Sequence, residues 1–101
     1  MINNLQHFIA NQFKINFNVI CGKQQIKNNY EYTAYNISML ISYLLIPTKR
    51  YGIKSTIHRL HRCKSTNRIQ RLMDKYSKDT SFRLKVNIYK QLYTEWIKKK
   101  S

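Results

Sequence analysis

Apolar residues at Ile2, Leu5, Phe8, Ile9 and Phe13 recur at spacings of three and four, which predicts an amphipathic helix over 2–17. Ile15, Phe17 and Val19 then alternate with Lys14, Asn16 and Asn18, so a short extended piece is expected before the Cys21-Gly22 turn. A second stripe, Ile37, Leu40, Ile41, Leu44 and Leu45, has the one-sided spacing of a packed helix and predicts one over 32–46. Pro47 ends it, because proline has no N–H to give and disfavours the α conformation in the residue before it. From 48 to 78 the apolar residues Tyr51, Ile53, Ile57, Leu60, Ile69, Leu72 and Met73 are scattered among Lys, Arg, His, Ser and Thr. A segment patterned in this way lacks a core of its own, so an extended basic arm with local turns is expected, ordered by contact with a partner. Periodicity returns with Phe82, Val86, Tyr89, Tyr93, Trp96 and Ile97, predicting a C-terminal helix capped by Asp79, Thr80 or Ser81. The alternation over 82–88 leaves a short strand open as the alternative there. The expected fold class is mainly α: two N-terminal helices (1–47), an extended basic central arm (48–78) and a C-terminal helix (79–101), in one domain.

Charge divides the chain in the same places. Of 101 residues, 19 are basic and 4 acidic, a net charge of +15. Residues 1–45 carry +2 of this and residues 46–101 carry +13, with all six arginines between Arg50 and Arg83. Self-repulsion of this size opposes compaction unless a polyanion supplies countercharge, and arginine is the side chain whose planar fork fits phosphate. Leu, Ile, Val and Phe total 27 residues, enough for a modest core. The apolar run at 39–46 is far shorter than the roughly 20 residues a spanning helix needs, so no membrane partner is expected. Two cysteines, Cys21 and Cys63, make no disulfide framework, which points to a reducing compartment. Asn, Ile, Lys, Tyr and Phe make up 48 residues against five of Ala, Gly and Pro, the bias of an A/T-rich gene such as an organellar one. No arginine precedes Arg50, so an arginine-rich transit peptide is not expected, and organelle encoding is.

The stretch 55–71, "STIHRLHRCKSTNRIQR", concentrates the candidate chemistry. His58, His61 and Cys63 are close together, but a structural zinc site takes four ligands in two close pairs, and the other cysteine is remote in sequence. Glu31, Asp74, Asp79 and Glu95 form no motif that would orient a base for a cysteine nucleophile, and Gly22 and Gly52 make no phosphate loop. No metal, cofactor, catalytic residue or small-molecule substrate is therefore expected, and the chain reads as a non-enzyme. An RNA surface uses the whole stretch: cations for phosphate, histidines to stack or donate, and Ser, Thr and Asn for sugar and phosphate. The candidate RNA-binding residues are Lys49, Arg50, Lys54, Ser55, His58, Arg59, His61, Arg62, Lys64, Thr66, Asn67, Arg68, Arg71, Lys75 and Arg83.

At "STIHRLHRCKSTNR" the chain resembles the universal small-subunit ribosomal protein S-fourteen family, which has a stretch close to S-P-x-R-x-R-N-R-C-x-x-T-G-R. Ser55, Arg62, Cys63, Thr66 and Arg68 fall in register, His58 takes a usual Arg place, His61 the usual Asn, and Asn67 the usual Gly. Upstream "LLIPTKR" is similar to the Leu-Pro that ends a family helix, and Lys75-Tyr76 looks like its Lys-Phe. The zinc form of the family has Cys-x-x-Cys where this chain has Cys63-Lys64-Ser65-Thr66, so the resemblance is to the zinc-free branch, of mitochondrial type. The N-terminal part is less basic than is usual in the family, and "YTEWIKKKS" replaces its Gly- and Pro-containing end. What the resemblance implies is a structural component of the small subunit of a mitochondrial ribosome, in the mitochondrial matrix. Its partners would be small-subunit rRNA of the head (3′ major domain) and neighbouring head proteins, with the central arm ordered by rRNA. The rival readings are another basic RNA-binding ribosomal protein, a small helix-turn-helix DNA-binding module, and a basic protein of membrane surfaces.

Overall fold

Local hydrogen-bonding chemistry sets where each helix starts and stops. The computed structural model describes residues 2–47 and 50–100, and among the described residues there are six α-helices and no strand. Helix α1 (Ile2–Phe13) ends when Lys14 turns into the left-handed region at φ 56°. There the Ile15 N–H reaches the Ala10 carbonyl at 3.0 Å and the Lys14 N–H reaches that of Asn11 at 3.2 Å, a Schellman ending. The expected extended piece at 15–19 is instead a single helical turn, α2 (Phe17–Ile20). Asn16 starts it by accepting the Asn18 N–H at 2.8 Å, and Val19 and Ile20 are both buried, which a strand's alternation does not allow. Helix α3 (Asn29–Leu44) is capped by Asn28, whose side chain accepts the Glu31 N–H, while the Glu31 carboxylate accepts from Lys27 N–H. It ends at Leu44, shortly before Pro47, as its sequence predicts.

The expected stripe on α3 is too narrow a description of it. Every residue from 34 to 42 is buried, because α3 packs against each of the other five helices. The polar residues in that run are all partnered: Asn36 accepts from Arg68, Ser38 meets His61, and the Ser42 hydroxyl donates to the Ser38 carbonyl at 2.7 Å.

The central segment corrects the sequence expectation. In place of an extended arm stand α4 (Ile53–Leu60) and α5 (Arg68–Lys78). Both are short and carry narrow apolar edges, Ile53 and Ile57 on α4 and Ile69, Leu72, Met73 and Tyr76 on α5. Neither edge makes a core alone. Ile57 and Ile69 reach 0% exposure because α3 supplies the opposing wall, with α6 closing over α5.

Helix α6 (Thr80–Lys100) follows α5 after one residue. That residue, Asp79, closes α5 through its N–H to the Lys75 carbonyl and starts α6 by accepting the Phe82 N–H at 3.0 Å. The helix runs unbroken through 82–88, so the strand alternative does not occur. Its inner face joins α1 through aromatic contacts, Phe8 against Tyr93 at 5.4 Å edge-to-face and Phe13 against Tyr89 at 4.8 Å. Its outer face leaves Leu84, Ile88 and Leu92 exposed at 58%, 59% and 38%, one apolar line along the helix. The Cα radius of gyration, 12.8 Å, is that of a packed chain of this length, about 13 Å per 100 residues.

Candidate nucleic-acid interface

The loop 61–67, between α4 and α5, is built outward from His61. Its ring is fully buried, with Nδ1 2.9 Å from the Ile57 carbonyl and Nε2 2.8 Å from the Ser38 hydroxyl. A carbonyl only accepts, so Nδ1 carries the proton and Nε2 accepts from Ser38; the imidazole is neutral. Burial pushes its pKa down to about 4, against a smaller opposing effect of the bond to Ile57. The His61 carbonyl accepts the Tyr35 hydroxyl at 2.6 Å, and Gln6 donates to the neighbouring Leu60 carbonyl at 3.0 Å. Burial, followed by the nearby Cys63 thiol, raises the Tyr35 phenol above its ordinary range.

Beyond His61 the backbone makes a second Schellman ending. The Arg62 N–H bonds the Arg59 carbonyl at 3.0 Å and the Cys63 N–H bonds that of His58 at 2.8 Å, with Arg62 left-handed at φ 51°. Gly22 packs directly beneath: a Cβ there would collide with the His61 carbonyl oxygen and lie 2.7 Å from the Arg62 Cβ. Glycine is required at position 22 both by that approach and by its φ of 79°. On the α5 side, His58 Nε2 accepts the Ile69 N–H at 3.3 Å, serving a helix start where Asn67 provides no side-chain cap. The His58 pKa is lowered by burial, and then by the charges of Arg68 and Lys54.

Two concavities flank this loop. The larger, about 660 Å³, is lined by Arg50, Lys54, Arg59 and Lys64 with Tyr51, Ser55 and Thr66 among others. The smaller, about 320 Å³, is lined by Arg62, Lys64 and Arg68 with Tyr32 and Tyr35. Cys63 and Lys64 border both, and among the described residues no carboxylate lines either. The first turn of α4, which contributes Ile53, Lys54 and Ser55, also borders the larger one. This arrangement is chemically suited to an extended anion, with a hydrogen-bonded backbone below and lining cations above.

The candidate RNA residues separate into several groups. Arg50, Ser55, Arg59, Arg62, Lys64, Thr66, Asn67, Arg71 and Lys75 are exposed, and Lys54 is half-buried with Nζ 2.8 Å from Gln70 Oε1. Arg71 shares a 3.0 Å bond with Ser65, and Lys75 lies 4.7 Å from the Phe82 ring centre. His61, expected to stack on or donate to RNA, is instead fully enclosed, its ring nitrogens bonded to the Ile57 carbonyl and Ser38, whereas His58 is largely buried with Nε2 accepting the Ile69 N–H but still borders the larger concavity. Arg68 donates to Asn36 at 3.0 Å and lies 5.3 Å from the Tyr32 ring centre, so it is partly committed to the fold. Arg83 lies away from both concavities and donates to the Tyr76 and Ser77 carbonyls at 3.1 and 3.0 Å, closing the end of α5. Lys49 lies outside the described residues.

Cys21 and Cys63 are both free thiols, and among the described residues no group of three or more His, Cys, Asp or Glu side chains is placed to hold a metal ion. Among the described residues no helix is long and apolar enough to cross a membrane. The seven residues of 61–67 exceed the three- to four-residue turn of a DNA-reading helix-turn-helix, and the cations are spread over α4, the loop and α5. Sequence reasoning passed over Tyr51 and Gly22. Tyr51 sits beside Arg50 in the sequence, whereas the role of Gly22 depends on a contact some 40 positions away that no local pattern announces. No family model, no curated protein and no solved structure matches the chain.

Proposed function

We propose that the chain is a structural constituent of the small subunit of a mitochondrial ribosome, in the matrix, lying on small-subunit rRNA of the head beside neighbouring head proteins. The observation that carries this reading is the pair of cation-lined concavities, without a carboxylate among the described residues that line them, on either side of a loop whose backbone is held from α1, α3 and the Gly22 turn. The phosphate contacts fall to Arg50, Lys54, Arg59, Arg62, Lys64 and Arg71, with Ser55, Thr66 and Asn67 beside them. Arg68 contributes the part of its guanidinium that Asn36 does not occupy. The rRNA neutralises the repulsion among these cations and so holds the basic centre in its packed form. Catalysis has no part in this role. Sedimentation of small ribosomal subunits from purified mitochondria tests it. The chain should travel with the small subunit in low salt and leave it as salt is raised; absence from that fraction at low salt would remove the reading.

A further inference from the structure

We infer that Tyr51 is a stacking platform for an unpaired RNA base at the rim of the larger concavity, an inference that rests on the RNA reading above. Its relative exposure is 108%, the highest among the exposed large hydrophobics. The two other exposed tyrosines are engaged: Tyr30 donates to the Phe13 carbonyl at 2.9 Å, and the Tyr32 ring lies 5.3 Å from the Arg68 guanidinium carbon. Tyr51 makes no hydrogen bond or ring contact with any described residue, so the fold has no use for its ring. Gly52, left-handed at φ 87° and with nothing within 4 Å of a would-be Cβ, turns the chain there and leaves the space beside Tyr51 open.

The surroundings select the ligand. Arg50, Lys54, Arg59 and Lys64 line the same concavity, and its volume of about 660 Å³ falls in the roughly 300–1,000 Å³ range of ligand sites. A nucleotide joins the two chemistries found here, a flat apolar face for the ring and a phosphate for the cations. A base paired inside an A-form helix offers no open face, so the strand at this rim is single-stranded, as in a loop or bulge.

The test is binding of a short oligoadenylate to the full chain, as a function of salt, with inorganic polyphosphate as the base-free comparison. Tyr51→Ala should weaken oligoadenylate binding roughly 5- to 150-fold, the worth of one stacked base, while leaving the salt slope and polyphosphate binding unchanged. Tyr51→Phe should bind like the parent. Because position 51 is exposed, circular dichroism of both variants should match the parent. Arg59→Ala reports on the RNA reading separately, by lowering the slope by about 0.7. Parental binding by Tyr51→Ala beside a weakened Arg59→Ala would overturn the stacking role and keep the RNA surface. An equal loss of oligoadenylate and polyphosphate in Tyr51→Ala would also overturn stacking. No change in either variant would overturn both.

Discussion

Arg62 occupies the position at the end of α4 where a helix ordinarily places glycine, and it holds a left-handed φ of 51° there. Its side chain is exposed beside the smaller concavity, so strain has been accepted where a cation is presented. Arg62→Gly should therefore separate two properties: a gain of about 0.5–1 kcal/mol in urea unfolding, and weaker rRNA binding with a salt slope lower by about 0.7–0.9. Lower stability, or an unchanged slope, would show that the position serves packing instead. His61 gives a pH prediction. Its folded pKa, about 4, lies below the ordinary 6.5, so between those values the unfolded chain holds the extra proton. The contribution of neutral His61 is complete above the ordinary value and is lost as pH falls toward the folded one, about 2–3 kcal/mol between pH 7 and pH 4.5. His58, also lowered, acts in the same direction, and its protonation removes the acceptor for the Ile69 N–H at the start of α5. Urea midpoints across that range check this, with His61→Gln expected to be less stable at pH 7 and to vary less with pH.

Helices α5 and α6 meet at Asp79, and Arg83 clamps the junction by reaching back to the carbonyls of Tyr76 and Ser77. In the sequence Arg83 is one more cation of a basic series; in the structure its fork satisfies a helix end. Arg83→Met should cost about 1 kcal/mol in thermal or urea unfolding and leave the salt slope of rRNA binding unchanged, whereas a slope lower by about 0.7 would return Arg83 to the RNA surface. Much of the fold was legible at this scale and some was not. Helices α1, α3 and α6 have long apolar stripes, and the sequence predicts each of them within a few residues. The spacing Ile69, Leu72, Met73, Tyr76 is equally helical, but over eleven residues, set among cations, it reads as scatter. In α4 and at its C-cap part of the inner face is histidine, and a histidine becomes a core residue only when partners are brought to it, the Ile69 N–H to His58 and Ser38 and the Ile57 carbonyl to His61. The basic surface was legible from charge alone. Which of its members the fold had already claimed depended on contacts distant in sequence, such as Arg68 with Asn36.

For the molecule as a whole, a charge of +15 works against a core drawn from 101 residues. The packing around His61 predicts that the centre nevertheless closes without rRNA. Hydrogen exchange of the free protein should find the His61 and Cys63 amides slow, since both bond to carbonyls of α4, and slower still with small-subunit rRNA. Exchange at unstructured rates until rRNA is added would restore the RNA-ordered arm that the sequence alone suggests. The line of Leu84, Ile88 and Leu92 on α6 has a colloidal consequence. In the free protein, repulsion between chains of +15 charge opposes the meeting of two such lines, and its reach shrinks to about 3 Å at 1 M salt. Salt high enough to release the protein from the proposed RNA partner would thus also remove its protection against self-association. Sedimentation velocity should show monomer at low ionic strength and growing oligomers as salt rises, and Ile88→Lys, which places a charge in the middle of the line, should stay monomeric throughout.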